Sequence, residues 1–150
     1  MMLLSSEFEP SSMETLTPDR SHVAELLRQH DIIPTHQRLV IAKTLFSRRQ
    51  HLSAEQLLAA VNQNHAEVSK ATIYNTLNLF EKKGLIREVI IDPERVFYDT
   101  HTSPHHHFFD VDTGTLMDIE SDTLCVEGLP ELPPGMVQEG VDIVVRIRRQ

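Results

Sequence analysis

The sequence predicts an α+β protein in which an N-terminal winged helix-turn-helix is followed by a small dimerisation domain. Apolar residues recur at helical spacing in four segments between residues 21 and 83. The period then changes to that of a short hairpin, and this order of elements is typical of a winged helix-turn-helix. The last third of the 150 residues carries three short strand patterns. Such a small sheet is marginal alone, so a partner is expected to complete it.

Composition divides the chain into three parts. Residues 1–19 mix Ser, Thr, Pro and acidic residues without periodicity, and are expected to form a flexible tail. Residues 20–98 hold the helical segments and the hairpin, and form the predicted winged-helix domain. Residues 99–150 hold a histidine cluster, the three short strands and a proline-rich stretch, and form the predicted dimerisation domain.

Four helices are delimited by local start and stop signals. The first begins at about Ser21 and ends near His30, ahead of Pro34, because the residue before a proline is steered out of the helical region. The other three begin at residues whose side chains can accept a hydrogen bond from a first-turn N–H group. These predicted caps are Thr35, Ser53 in a capping box with Gln56, and Ser69, and Gly84 ends the fourth helix on a left-handed residue.

Strand patterns follow the helices. Residues 85–91 are rich in β-branched side chains and can pair with Arg95–Asp99 across a turn at residues 92–94. Residues 108–111 and Thr115–Ile119 are expected to flank a turn. Residues 141–149 alternate in polarity, which predicts a strand with one buried face.

The charge distribution indicates which part of the chain can meet nucleic acid. The formal net charge is −8, whereas nucleic-acid binders usually carry a basic face. Residues 20–91, however, hold ten Lys and Arg against six Asp and Glu, and the acidic surplus lies on either side of them. The net-positive part of the sequence is therefore the predicted winged helix.

Other classes of protein are excluded by simple counts. Cys125 is the single cysteine, which excludes an intrachain disulfide and a cysteine-built zinc site. No apolar run approaches the ~20 residues that span a bilayer. The N-terminus lacks the basic region that opens a signal peptide. We therefore expect a cytoplasmic protein with no membrane partner.

The fourth helix offers a polar face suited to DNA. Lys70, Thr72, Tyr74 and Asn75 are expected to point outward. Asn can bond adenine edges, a Thr methyl suits the thymine methyl, and Lys and Tyr reach guanine or phosphate. Arg87 places positive charge where a wing would meet the DNA backbone. For the helix alone a solvated polar surface is an equal alternative, but the short turn, the capped helix and the basic hairpin together favour DNA binding.

Four of the nine histidines lie between residues 101 and 107, beside several aspartates. On a strand, His105 and His107 point to one face and His106 to the other. A His-x-His pair with carboxylates on neighbouring strands suits Zn²⁺, Fe²⁺ or Mn²⁺. Because the ligating histidines must be neutral, binding should weaken below about pH 6. The alternative is a polar loop that binds nothing.

Five motifs occur in a fixed order along the chain. They are PTHQRL at residues 34–39, HLSAE at 51–55, SKATIYNTL at 69–77, GL at 84–85 and HHHFF at 105–109. This ordered set resembles the ferric uptake regulator family of metal-responsive transcription factors, and the resemblance runs from about residue 20 to 150. The HHHFF motif together with the ending VDIVVRIRR at residues 141–149 is most similar to the iron response regulator subgroup.

The resemblance implies an N-terminal winged helix, a small α/β dimerisation domain and a regulatory metal site. Matched position by position, the metal ligands are His51, Asp99, His105, His107 and Asp118. An ion held by all five would tie the two domains together and favour one domain orientation. Similarity to the subgroup also implies haem binding near the three histidines at residues 105–107.

The sequence departs from the family pattern at two further metal sites. Asp110 and Thr113 stand where the family's structural zinc site has cysteines, so no structural zinc is expected. The family's second site falls on His106, Cys125 and Val141, of which only His106 is an obvious ligand. In addition, Asn75 stands where many relatives have Arg, and the proline-rich residues 130–135 shorten or replace a dimerisation helix.

The leading hypothesis is a homodimeric regulator of iron homeostasis, or a dimer of dimers, that binds an A/T-rich palindromic operator. The subgroup resemblance implies DNA binding when iron or haem is scarce and release when haem binds. The alternatives are a repressor that uses metal as corepressor or senses peroxide, and a constitutive DNA-binding protein with no ion in its site. A small metallohydrolase using His105 and His107 is a less favoured alternative, since nothing suggests a substrate cavity.

Overall fold

The computed structural model describes residues 19–64, 67–120 and 122–150, and the predicted tail lies outside this part except for Asp19. In the described part, four helices accompany two small three-stranded sheets, which confirms the predicted α+β architecture. None of these helices is both long enough and apolar enough to cross a membrane. The helices are α1 (Arg20–Gln29), α2 (His36–Leu45), α3 (Ala54–Val61) and α4 (Lys70–Lys82).

The predicted helix caps are all in place. The side chains of Thr35, Ser53 and Ser69 each accept a hydrogen bond from a first-turn backbone N–H. Gln56 returns a bond to the backbone N–H of Ser53, which completes the capping box. Gly84 follows α4 with a φ of +77°, a conformation that other residues adopt only with strain.

The four helices share one apolar core. Leu27 of α1, Leu57 of α3 and Phe80 of α4 are fully buried in it, and Leu85 and Ile86 extend it toward the hairpin. Each fully buried side chain of this size contributes about 1.5–3 kcal/mol. The core therefore fixes the inner face of α4 and leaves the opposite face of that helix outward.

The strands form two separate sheets. In the first sheet the order is β1-β3-β2, and in the second it is β5-β4-β6. All pairs are antiparallel except β4 and β6, which are parallel. The strands are β1 (His51–Leu52), β2 (Arg87–Asp92), β3 (Arg95–Asp99), β4 (His106–Asp110), β5 (Thr115–Ile119) and β6 (Val144–Ile147).

The strands differ from the sequence prediction at several points. β1 was not predicted, because two residues are too few to show a period. β2 begins at Arg87 because the two residues before it are buried in the helical core. β4 begins at His106, two residues early, because its first two histidines already pair with residues of β5.

β6 is shorter than predicted and does not bury one face. It comprises Val144–Ile147, and Val145 and Ile147 are 38% and 36% exposed. The expectation of a buried face is therefore wrong for the single chain. The pairing register puts Val145 beside Phe108 of β4, and Phe108 beside Met117 of β5. These side chains share the side of the second sheet that faces away from the helices, which we call the outer face.

The hairpin β2–β3 packs against the inner face of the second sheet. Val89 and Phe97 from the hairpin and Phe109 and Leu116 from the sheet form a second buried apolar cluster. The guanidinium of Arg95 lies over the Phe109 ring, 5.0 Å from its centre. The hairpin thus completes the small sheet that the sequence predicted to be marginal alone, and Arg95 is turned toward that sheet.

No helix lies between β5 and β6 in the described residues 122–143. Residues 127–140 are all exposed and include the proline-rich stretch. Proline lacks the N–H that a helix interior requires. An extended segment therefore occupies the place where a dimerisation helix was expected to be shortened or replaced.

In the second apolar cluster, which is small, we expect one aromatic ring to determine the stability of the contact between the hairpin and the second sheet. Phe109 is 1% exposed, and removing a buried phenylalanine ring costs about 3–5 kcal/mol. We expect Phe109→Ala to lower the free energy of unfolding by roughly that amount, measured by urea denaturation in EDTA. Val111→Ala, at a residue that is 42% exposed, should change it by less than about 0.5 kcal/mol. Equal effects of the two substitutions would contradict this packing.

Candidate metal centre

Five side chains from both sheets converge on one point, and they are the five predicted metal ligands. One possible ligand atom from each lies within 4.8 Å of every other. Strand pairing explains the convergence, because β1 and β3 pair at His51 and Asp99, and β4 and β5 pair at His107 and Asp118. His105 precedes β4 and lies on the same side as His107.

Three imidazole nitrogens surround one oxygen of Asp99. Its Oδ2 lies 2.8 Å from Nε2 of His105, 3.1 Å from that of His107 and 3.2 Å from that of His51. The Oδ1 atom of Asp118 faces the same three nitrogens at distances of 2.7–3.3 Å. Asp99 and His107 are completely buried. A buried carboxylate is stable only when it is hydrogen-bonded and paired with positive charge.

The position of His105 requires positive charge in this cluster. Its Nδ1 lies 2.6 Å from the carbonyl oxygen of Ser103, which can only accept, so Nδ1 carries a hydrogen. In the neutral ring Nε2 then presents a lone pair, and that lone pair faces the carboxylate of Asp99. Either a second proton or a cation must lie between them. The site is thus built for a positive species.

The shifted pKa values of the neighbouring groups have the same origin. Burial works to lower the pKa of His51, but hydrogen bonds and charge attraction from Asp99 and Asp118 outweigh it, and the pKa is raised. Burial works to raise the pKa of Asp99, but hydrogen bonds from His107 and His51 hold it far below its ordinary value. The pKa of Asp118 is lowered too, because its contacts with His51 outweigh burial.

The donor set fits a divalent transition metal. It offers three imidazole nitrogens and two carboxylate oxygens, the combination typical of Zn²⁺, Fe²⁺ and Mn²⁺ sites. Two ligands at right angles, each about 2.1 Å from an ion, are about 3.0 Å apart. The nitrogen-to-oxygen distances of 2.7–3.3 Å therefore already match the edges of such a coordination shell.

The histidines of the cluster differ in whether their second ring nitrogen is held by a hydrogen bond. The Nδ1 atom of His105 is held by the Ser103 carbonyl, whereas the buried Nδ1 of His107 has no hydrogen-bond partner within the described residues. Arg49 donates to the outer oxygen of Asp118 at 3.0 Å and so orients that carboxylate. Groups that hold a ligand in place raise its affinity for metal, and the His107 ring lacks such a group at Nδ1 among the described residues.

The structure separates the three histidines that were predicted to bind haem. His105 and His107 belong to the cluster, whereas His106 lies on the outer face, as strand alternation predicts. The Nδ1 atom of His106 accepts a hydrogen bond from the backbone N–H of Ile143 at 3.1 Å. The three rings therefore do not face one point in this arrangement, and haem binding near them stays a prediction.

The other metal positions of the family are not assembled either. Cys125 is exposed, and no second group of three or more ligating side chains is found in the described ranges. Asp110, which stands at a cysteine position, instead accepts backbone N–H bonds from Asp112 and Thr113 and shapes the turn between β4 and β5.

Most of the predicted DNA-binding residues lie on one surface of α4. Lys70 and Asn75 are exposed and Thr72 is half-buried. Thr72 and Asn75 line a groove together with the N-terminal residues of α2, His36 and Arg38 among them. The α2 residues were not singled out from the sequence, although the polar run after the Thr35 cap is a usable signal. Tyr74 is half-buried, and its hydroxyl donates to Glu55 at 2.7 Å.

Arg87 is placed elsewhere. It forms an ion pair with Asp142, and it lines a crevice between the hairpin and the C-terminal segment together with Glu81 and Glu88. It is not among the residues of the α2–α4 groove. Its positive charge is matched inside the chain, so the prediction that Arg87 meets DNA is not supported by this arrangement.

The chain is similar to known regulators in sequence and in fold. Residues 29–128 match the sequence model of the ferric uptake regulator family. The peroxide-responsive repressor PerR of Staphylococcus aureus is 31% identical over 94 residues, which are 63% of this chain and 64% of that repressor's length. The ferric uptake regulator of Pseudomonas aeruginosa, solved with manganese, matches with a TM-score of 0.63 at 22% identity, covering 85% of this chain and 98% of that chain. That of Vibrio cholerae matches with a TM-score of 0.66 at 18% identity, covering 84% and 98%.

The pKa directions predict how the stability of the metal-free chain depends on pH. Asp99 and Asp118 have lowered pKa values, so their contribution is present above about pH 3.8 and is lost as the pH falls toward those lowered values. His51 has a raised pKa, so its contribution is complete below about pH 6.5 and is lost as the pH rises through the raised value. We expect the free energy of unfolding in EDTA to be highest between these limits.

Two variants test the two sides of this profile. Asp99→Asn should flatten the acid side, whose slope is at most about 1.4 kcal/mol per pH unit for each proton. His51→Gln should flatten the alkaline side, whereas His22→Gln, at an exposed residue of α1, should not. Urea denaturation between pH 3 and 9 measures both. An alkaline side that is unchanged in His51→Gln contradicts the assignment.

Proposed function

Because this chain belongs to the ferric uptake regulator family, we propose that it is a transcriptional regulator whose DNA binding responds to a divalent metal ion. The surface of α4 around Lys70 and Asn75 would enter the major groove, as the second helix of a helix-turn-helix does. Members of this family are DNA-binding regulators rather than enzymes, and we extend that description to this chain. We further propose that it acts in the cytoplasm.

The observation that carries the proposal is the position of the five-residue cluster across the two sheets. His51 and Asp99 belong to the sheet that joins the helices, whereas His105, His107 and Asp118 belong to the second sheet or precede it. A bound ion would supply a shared positive charge to ligands from both sides. It would therefore stabilise the arrangement in which all five side chains meet, by its higher affinity for that arrangement.

The loop before His51 provides a path from the cluster to the helices. The Gln50 side chain donates to the carbonyl oxygens of Thr44 and Leu45 at the end of α2, at 3.0 and 2.7 Å. The backbone of Gln50 exchanges hydrogen bonds with Thr100, next to Asp99. A shift of His51 is thus transmitted to α2, whose first residues line the groove beside α4.

We propose in addition that the regulator belongs with the iron response regulators. The support is the His105-His106-His107 motif together with the C-terminal sequence at residues 141–149. DNA binding would then occur when iron or haem is scarce, and haem would cause release. Since His105 and His107 lie in the cluster, His106 on the outer face is the histidine that remains for haem. The physiological metal at the cluster would be Fe²⁺, Mn²⁺ or Zn²⁺.

We also propose that a second copy of the chain covers the part of the outer face of the second sheet that Met117, Val145 and Ile147 form. Met117, Val145 and Ile147 are exposed there by 36–38%, and the extended segment at residues 127–140 exposes further apolar side chains. Contiguous apolar surface of this kind marks an interaction site. A two-fold dimer would present two α4 helices to the two halves of an A/T-rich palindromic operator.

The metal response can be tested with a conservative ligand variant. The probe is the duplex that the wild-type protein enriches from a random-sequence pool, titrated at fixed salt with Mn²⁺, Fe²⁺ or haem. In the wild type, Mn²⁺ should change the Kd for this duplex. In Asp118→Asn, which keeps the side-chain shape, the same change should need at least about tenfold more Mn²⁺. Asp122→Asn, an exposed carboxyl outside the cluster, should respond like the wild type.

Different outcomes test DNA recognition, the cluster as regulatory site and the response to haem separately. Enrichment of no duplex by the wild type would overturn DNA recognition. An unchanged Mn²⁺ response in Asp118→Asn would overturn the cluster as the regulatory site. Tighter DNA binding on addition of haem would contradict only the iron-response polarity and leave the metal-responsive regulator in place.

The dimer surface predicts a clear effect of one added charge. Val145→Asp should convert the dimer to a monomer, because an unpaired carboxylate would be buried at the contact. Arg148→Asp, at an exposed residue beyond the end of β6, should leave the dimer intact. Sedimentation velocity at micromolar concentration measures both. A Val145→Asp variant that sediments like the wild type would contradict the outer face as the interface.

A further inference from the structure

A carboxylate holds the one tyrosine on the DNA-facing helix. The hydroxyl of Tyr74 donates to Oε1 of Glu55 at 2.7 Å, from α4 to the first turn of α3. The Tyr74 ring packs on the helical core, and the ammonium of Lys70 lies 5.9 Å from its centre. This hydrogen bond lowers the pKa of the Glu55 carboxyl and raises that of the Tyr74 hydroxyl.

The hydrogen bond fixes what Tyr74 can offer to DNA. A phenol has one hydrogen, and here that hydrogen is given to Glu55. Toward any other group the oxygen of Tyr74 can only accept, and the carboxylate of Glu55 can only accept as well. Phosphate oxygens are also acceptors and carry negative charge. The Tyr74–Glu55 pair therefore disfavours the DNA backbone.

The base edges that match two acceptors are those that carry amino groups. In the major groove these are N6 of adenine and N4 of cytosine. Lys70 and Asn75, which are exposed on the same end of α4, can supply phosphate and mixed contacts beside the pair. The arrangement thus combines an attractive element for one kind of base edge with a repulsive element for DNA in general, and specificity often needs both.

We propose that Glu55 is a specificity-determining residue, which holds the Tyr74 hydroxyl as an acceptor and so selects an adenine or cytosine amino group in the operator at the expense of general DNA affinity. The proposal rests on the proposed function as a DNA-binding regulator. It concerns one position of the operator and is independent of which metal or haem the protein senses.

The experiment compares base preference among four variants of the full-length, Mn²⁺-loaded protein. Wild type, Glu55→Gln, Tyr74→Phe and the control Glu81→Gln are each used to select duplexes from a random-sequence pool. Glu81 is an exposed acidic residue near the other end of α4. The Kd of each protein is then measured for the wild-type duplex and for unselected genomic DNA at the same salt concentration.

We expect Glu55→Gln to bind unselected DNA several-fold more tightly and to lose its preference at one base pair. The Kd for unselected DNA divided by the Kd for the wild-type duplex should therefore fall by about fivefold or more. Tyr74→Phe should lose preference at the same base pair. Replacing the base at that position by an analogue without its amino group should weaken wild-type binding by a similar factor and leave Tyr74→Phe unaffected. Glu81→Gln should behave like the wild type.

A purely structural contribution of Glu55 would change the melting temperature without changing the selected sequence or the ratio, and that result would overturn the inference. Equal binding of the amino-free analogue by the wild type would overturn it too. Both results leave the proposed function standing, because the wild type would still enrich a sequence. Failure of the wild type to enrich any sequence would overturn the proposed function and this inference with it.

Discussion

The buried carboxylate of Asp99 is the constraint on which the relation of the two sheets depends. Its side chain is inaccessible to solvent, and one of its oxygens faces three imidazole nitrogens. Leaving such a carboxylate without positive charge costs several kcal/mol, so the surrounding histidines must share protons or a cation with it. Because His51 comes from the first sheet and His107 from the second, Asp99 keeps all three imidazole contacts only while the sheets touch. Asp99 therefore helps to hold the helices in place relative to the second sheet.

The apolar contact beside the cluster decides what a ligand can change. Four buried side chains join the hairpin to the second sheet, and at about 1.5–3 kcal/mol each they contribute roughly 6–12 kcal/mol whether or not an ion is bound. Coupling free energies between a ligand and a distant site are typically only about 1–3 kcal/mol. An ion that supplies a coupling of this size does not separate the sheets, because the four side chains maintain their contact. Its effect is to bias small rotations within a contact that persists.

The parts of the structure that the sequence predicts are those set by neighbouring residues. Caps such as Thr35 and Ser69, and the opposite directions of His106 and His107, depend on local backbone geometry. His51, Asp99 and Asp118 were assigned as ligands through the family resemblance, because no local pattern joins positions so far apart. The pairing of Arg87 with Asp142 and the packing of the hairpin on the second sheet were not predicted either, because these residues are also far apart in the sequence. Strand β1 has only two residues, which is too few to show an alternating pattern, yet it positions the ligand His51.

Side chains alternate along β4, so its two faces make different contacts but share one backbone. His107 and Phe109 point inward to the cluster and to the hairpin, whereas His106 and Phe108 point to the outer face. A slip of one residue in register would exchange the two sets, so the pairing with β5 and β6 must be exact for either set of contacts. Because both faces share one backbone, an ion that changes the twist of β4 from the inside also changes the surface offered on the outside. Linkage is reciprocal, so a partner or haem bound at the outer face must alter the affinity of the cluster for metal by the same factor.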